Sequence, residues 1–375
     1  MRKGWLAAVA AAVVLAAVLP GCGREDGYDL VIMSPHDEKI TEEFETGFAA
    51  VFEAKYGRKP RISWRDLGTG TEGQMRYILE TFERRPEGID VDVFFGGGMD
   101  PFRELKAKGY LIPHRPPNAD AIPEKILGVP LRDADDAWWG AALSSFGILY
   151  NRPLLERLGV PEPKTWEDLA DPRLMGYVGL ADPSKSGSAR AIYEIILQAR
   201  GWDEGLGVIT RLAANAREFY TGSGSVVRDV ALGEVAAGPA IDFYGWTQVK
   251  QASRAGSGQA GADRLGFVLP AERTVITPDS IGILKGAPHP EVAKMFVDFV
   301  LSEAGQKLWM LKAGTPGGPR KYDLLRMSVL PAVYGKYAEV SNIRLNPFTF
   351  TSRFTHDAIK GSDRRVLVAD LMKST

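Results

Sequence analysis

Short apolar runs alternate with amphipathic helical stretches along most of this 375-residue chain, and that alternation restricts it to an α/β architecture. Tyr28 to Met33 reads as an opening strand, and Ser34-Pro35-His36 then starts a helix. In that helix Phe44, Phe48, Phe52 and Tyr56 recur every four residues, a stripe that suits packing on a sheet. Gly57 ends it, where a left-handed cap favours glycine. Ile62 to Leu67 is the next strand, and Gly68-Thr69-Gly70-Thr71 leads into a helix carrying Met75, Ile78, Leu79 and Phe82. Val91 to Phe95 follows as a short strand that ends in Gly96-Gly97-Gly98. Such a succession predicts parallel sheets with helices on both faces.

Two longer extended stretches break the rhythm, Trp138 to Tyr150 and Thr274 to Leu284. They are long enough to run from one domain into another, and they read as paired crossings between two lobes. The chain would leave lobe one near Trp138 and return near Ile283. Continuity then assigns 28–137 plus 285–375 to lobe one and 138–284 to lobe two. Tyr177 to Ala181, Val235 to Phe243 and Leu265 to Leu269 are the strand candidates of the second sheet. The helical pieces after Tyr322 are expected to pack on lobe one.

The N-terminus carries a different signal. Arg2 and Lys3 precede an uncharged run from Gly4 to Leu19, followed by Leu19-Pro20-Gly21-Cys22. This is the pattern of a secretory signal peptide over residues 1–21. The uncharged run is short for a membrane-spanning helix. Leu19-Pro20-Gly21-Cys22 resembles the lipobox of bacterial lipoproteins, although Pro20 replaces the small residue usual there. That resemblance implies acylation of Cys22, the only cysteine of the chain, and an extracytoplasmic protein tethered to a membrane. A plain cleaved signal is the alternative. With one cysteine no internal disulfide can form, so stability outside the cell must come from the core. The balance of 46 basic and 47 acidic residues offers no electrostatic footprint for nucleic acid.

The functional signal lies in four strand-to-helix turns rich in glycine and hydroxyls. They are Ser34-Pro35-His36, Gly68 to Thr71, Ser184-Lys185-Ser186-Gly187-Ser188 and Thr221-Gly222-Ser223-Gly224-Ser225. Free N–H groups and the positive end of the helix dipole make such turns natural anion sites. Each turn taken singly is equally an ordinary N-cap; the set matters because ligands bind at the carboxyl ends of parallel strands. Catalytic patterns are poor. His36, His114, His289 and His356 are scattered without metal-ligand spacing, and no nucleophile elbow is present. No cofactor is expected.

Several segments carry a family resemblance: Phe146 to Asn151, Ala181-Asp182-Pro183-Ser184-Lys185-Ser186-Gly187, Ala240 to Trp246, and Asp279 to Gly282 before Ala287-Pro288-His289-Pro290. On these the chain resembles the extracellular solute-binding proteins of ABC importers, in the branch that binds ferric ion and its relatives that bind phosphorylated organic solutes. The resemblance implies a two-lobed periplasmic-binding-protein fold (type 2-like) with two crossover strands at the hinge. It also implies closure on a ligand, delivery to a membrane permease, and a protein that works as a monomer and not as an enzyme. The ferric branch uses a histidine, a glutamate and two consecutive tyrosines. His36 matches the histidine and Tyr244 the first tyrosine, whereas Gly97 and Gly245 stand where the glutamate and second tyrosine belong. Losing two oxygen ligands disfavours bare Fe³⁺, and glycine there would widen the cleft. The expected cargo is therefore a small phosphorylated or carboxylated anion. Thr69, Gly70, Thr71, Ser186, Gly187, Ser188, Ser223, Gly224 and Ser225 would hold its anionic group through uncharged donors. His36, Tyr244 and Asp242 would add hydrogen bonds. Ferric iron, bare or as a chelate on His36 and Tyr244, is the alternative cargo. An extracellular hydrolase using His36 or Asp242 is a remote third reading.

Overall fold

The computed structural model describes residues 27–255, 263–270, 273–351, 354–364, 367–368 and 370. The signal peptide expected over 1–21, and Cys22, lie outside the described residues. In chain order the first layer consists of β1 (Leu30–Met33), α1 (Glu38–Tyr56), β2 (Ile62–Arg65), α2 (Thr71–Arg84), β3 (Val93–Phe95) and α3 (Asp100–Ala107). Strand β1 pairs in parallel with β2 on one side and β3 on the other. Its side chains alternate: Leu30 and Ile32 meet the core that holds α1, while Val31 and Met33 meet the core that holds α2 and α3. The aromatic stripe explains α1, because Phe44, Phe48 and Phe52 are buried against that sheet. Tyr56, the last member of the stripe, is exposed and leans on Phe52 at 4.5 Å. The helix starts later than the sequence suggests. Asp37 caps it by accepting the N–H of Ile40, so Ser34 to His36 remain an open turn before the helix.

After β4 (Leu111–Ile112) and the hairpin β5 (Lys125–Ile126) and β6 (Val129–Pro130) comes the long strand β7 (Trp139–Asn151). The second half of the molecule contains α4 (Arg152–Leu158), β8 (Val178–Ala181), α5 (Gly187–Arg200), α6 (Trp202–Ala214), β9 (Ala216–Tyr220), α7 (Ser223–Leu232), β10 (Ala237–Ile241) and α8 (Asp242–Ala255). Strands β11 (Leu265–Val268) and β12 (Ile276–Leu284) close it. The two long strands lie side by side and antiparallel, from Ile276 opposite Ser145 to Ile281 opposite Trp139, with an irregularity between Asp279 and Ser280. Beyond that ladder they part company. The start of β7 stays with β12, whereas Phe146 to Tyr150 pair with β10 and Ile148 to Asn151 with β11. The end of β12 pairs with β3. One curled sheet, ordered β2-β1-β3-β12-β7-β10-β8-β9, thus passes from one core to the other.

Three local expectations need correction. The strand expected over Val235 to Phe243 stops at Ile241, and α8 begins at Asp242. Strand β9 was not foreseen, because Ala216 to Tyr220 is charged and mostly exposed at an edge position. The chain end departs from 285–375 as a single piece of lobe one. The helices Pro290–Leu301 and Glu303–Met310 pack around α1, but Phe354 and Val368 pack on the core of α5 and α6.

Candidate functional site

The strand-to-helix turns converge on one cavity of about 370 Å³ between the two cores. The N-termini of α2, α5 and α7 all reach it, through Gly70 and Thr71, Ser186 to Ser188, and Thr221 to Gly224. They are close neighbours: the Ser186 and Ser223 hydroxyls share a hydrogen bond of 3.0 Å. Gly70 approaches the backbone of Lys185 so closely that an added Cβ would stand 3.0 Å from its carbonyl oxygen. Ser186 also caps α5 by accepting the N–H of Ala189. Three positive helix ends aimed into one concavity favour an anion there.

The opposite wall is built on the paired long strands. Asp279 of β12 accepts the N–H groups of Gly97 at 2.5 Å and Gly98 at 2.9 Å with one carboxylate oxygen. Its other oxygen takes Arg326 at 2.5 Å and lies 2.9 Å from His36 Nε2. Burial would raise the Asp279 carboxyl, but Arg326, His36 and the Gly98 N–H outweigh it and hold the group well below the usual carboxylate range. Arg326 is 1% exposed, bonds Ser144 of β7 at 2.8 Å, and lies over the Phe243 ring at 4.4 Å. Its Nε and the Nδ1 of His36 are buried without a hydrogen-bond partner among the described residues. Leu325, just before it, takes φ +57, a conformation that costs a bulky residue energy and that recurs at ligand sites. Arg190 and Lys185 also line the cavity, and Arg190 forms an ion pair with Glu72 that ties α5 to α2.

The structure brings together His36, Gly70, Thr71, Gly97, Ser186, Gly187, Ser188, Ser223, Gly224 and Tyr244 at this cavity. Thr69, Ser225 and Asp242 are not among its lining residues. Thr69 folds back against Gly73 of α2, the helix that follows it. Asp242 is buried and spends its carboxylate on Ser145, accepting that residue's N–H at 2.8 Å and hydroxyl at 2.9 Å, and on the N–H of Phe243. Burial pushes its carboxyl up to about 6, against those hydrogen bonds and the charge of Arg326. The two glycines differ in what they do for the cavity. Gly97 lines the cavity at φ +99, and an added Cβ would meet Thr71 Cγ2 at 2.6 Å. Gly245 faces the Phe267 ring instead, so it lends the cavity no width. Finally, the donors are not all uncharged. Lys185 belongs to a turn the sequence singled out, but Arg326 and Arg190 do not, although a lone arginine in the apolar run Leu324-Leu325-Arg326-Met327 is a usable signal.

Residues 91–325, more than half of the chain, match the family model described as bacterial extracellular solute-binding protein, and the chain belongs to that family. It is 32% identical over 227 residues to an uncharacterized protein of Haemophilus influenzae, covering 60% of this chain and 62% of that one. It is 26% identical over 191 residues to the phosphoglycerate transport regulatory protein PgtC of Salmonella typhimurium, covering 51% of this chain and 44% of the relative. The chain therefore spans less than two thirds of either curated relative. Its fold is similar to that of the periplasmic binding protein AfuA from Actinobacillus pleuropneumoniae, solved with fructose-6-phosphate bound. That match has a TM-score of 0.67 and 25% identity, and covers 91% of this chain and 96% of the other. The architecture is thus the two-lobed fold of periplasmic binding proteins. No helix among the described residues is long and apolar enough to cross a membrane.

Proposed function

We propose that this protein captures a phosphorylated small solute between two lobes and hands it to an ABC permease. The observation that carries the reading is the convergence of the α2, α5 and α7 N-termini on one cavity, with Arg326 opposite them. Free N–H groups and serine and threonine hydroxyls suit the several acceptor oxygens of a phosphate group. Arg326 and His36, each with a buried nitrogen that has no partner among the described residues, suit a further acceptor on the same molecule. The relatives support the class, since one is tied by name to phosphoglycerate transport and one holds a sugar phosphate.

The mechanism in this reading is closure. The paired strands β7 and β12 are the hinge, with 28–137 and most of 285–350 on one side and 138–284 on the other. Ligand bridges the helix ends of both sides and shifts the population toward the closed form. No hydrolytic chemistry is assigned, because Asp242 is spent on Ser145. The protein acts as a monomer, and the Cys22 lipid keeps it beside its permease outside the cytoplasm. Iron fits less well. Among the described residues no three or more His, Cys, Asp and Glu side chains gather as a metal-holding group. The buried cation Arg326 lies 3.1 Å from His36, and burial raises the Tyr244 phenol away from the phenolate a ferric site needs.

Thermal unfolding in the presence of phosphate esters, dicarboxylates and ferric citrate tests the reading. A phosphate ester at one hundred times its Kd should stabilise the fold by about 2.7 kcal/mol. Stabilisation by ferric citrate alone, or by none of the three, overturns it.

A further inference from the structure

The end of the described chain is a cavity wall. Leu345, Phe348 and Phe350 still pack on the core that holds α1. Only a few residues later, Phe354 packs on the core of α5 and α6, and Val368 is buried there. Gln198 of α5 exchanges two hydrogen bonds with the Asp357 backbone, at 2.7 Å and 2.9 Å. Arg364 forms an ion pair with Glu194, a carboxylate 5% exposed, and its guanidinium lies over the Trp202 ring at 5.2 Å. Between these anchors His356 and Gly361 line the cavity. His356 Nδ1 is buried and has no hydrogen-bond partner among the described residues.

The position of this wall along α5 sets what it can touch. Gly187, Arg190, Ala191 and Glu194 line the cavity in succession, and Gly361 approaches Glu194. At 1.5 Å per residue, Gly187 and Glu194 stand about 10 Å apart along the helix axis. A phosphate at the N-terminus of α5 would leave that distance to be filled by the rest of a ligand.

We propose that residues 354–364 form a C-terminal clasp over the cavity, and that His356 recognises the part of a phosphorylated solute remote from its phosphate. The proposal rests on the phosphate-ester reading given above. Inorganic phosphate reaches the helix ends and stops short of the clasp. A hexose phosphate reaches His356, whose half-buried and neutral ring, its pKa pushed down to about 4 by burial, offers one nitrogen to a sugar hydroxyl. The clasp is anchored on α5, whereas the chain up to Phe350 packs on the core of α1.

Calorimetric titration of the full chain with inorganic phosphate and with a hexose phosphate tests this, alongside His356→Ala and Arg364→Glu. The first variant removes the ring; the second sets like charge beside Glu194 and detaches the clasp. Each should weaken the hexose phosphate by about fivefold to tenfold, the equivalent of one lost hydrogen bond, and leave inorganic phosphate unchanged. Hydrogen exchange over 354–364 should slow with the hexose phosphate and not with inorganic phosphate. Equal losses for both ligands, no loss for either, or unchanged exchange would overturn the clasp alone. A wild-type chain that binds neither probe would overturn the phosphate-ester reading, and the clasp with it.

Discussion

At the residue scale the cavity depends on Asp279. A single carboxylate orients Arg326, His36 and the glycine turn at Gly97 and Gly98, so its loss disturbs three lining groups together. Replacing Arg326 by Ala leaves that buried carboxylate short of its cation, and the fold should lose about 3–5 kcal/mol in chemical denaturation. Gly97→Ala combines a positive φ with a clash against Thr71, and should cost about 1–3 kcal/mol together with a measurable loss of ligand affinity. Asp242 gives a pH signature. Its carboxyl titrates at about 6 in the fold against 3.8 for the ordinary group, so the folded state favours the proton. Its contribution to stability is therefore present below pH 3.8 and declines as pH rises toward 6, by up to about 3 kcal/mol. Unfolding free energies measured from pH 4 to pH 7 should fall less steeply in Asp242→Asn than in the wild type.

At the scale of elements, Ser186 and Ser223 join two helix starts that would otherwise be independent caps. Ser186→Ala removes both the cap on α5 and the link to α7. It should cost about 1 kcal/mol of stability and weaken phosphate-ester binding, both readable in one thermal titration. The helices themselves were legible in advance. The stripe Phe44, Phe48, Phe52 and the pattern Met75, Ile78, Phe82 announce α1 and α2 because their 3.6-residue period survives any tertiary context. The start of α8 was hidden, since Ala240-Ile241-Asp242-Phe243 is as apolar as a strand. Asp242 reveals itself as a helix start only when it meets Ser145 from a distant strand.

At the scale of the whole molecule, the ion pair of Arg190 with Glu72 bridges α5 and α2 across the cavity, and both side chains are about a tenth exposed. Glu72→Gln should weaken that bridge and shift the ligand-free protein toward an open form, seen as a larger radius of gyration in small-angle scattering. Adding ligand should restore the compact value. The tether proposed at Cys22 has its own test: Cys22→Ser should move the protein from the membrane fraction to the soluble fraction while leaving ligand affinity unchanged.

The amino-acid sequence by itself determined the α/β class, the two long extended strands and the glycine-hydroxyl turns that precede helices. Period, strand length and glycine-hydroxyl composition are local properties, readable residue by residue. Only the tertiary structure decided which of those turns share a cavity, and that Thr69, Ser225 and Asp242 stay out of it. It alone brought Arg326 to Asp279, across 47 residues of chain, and carried His356 to the side of α5. Such contacts arise from the pairing of distant strands and the path of the chain end, neither of which leaves a periodic trace in the sequence.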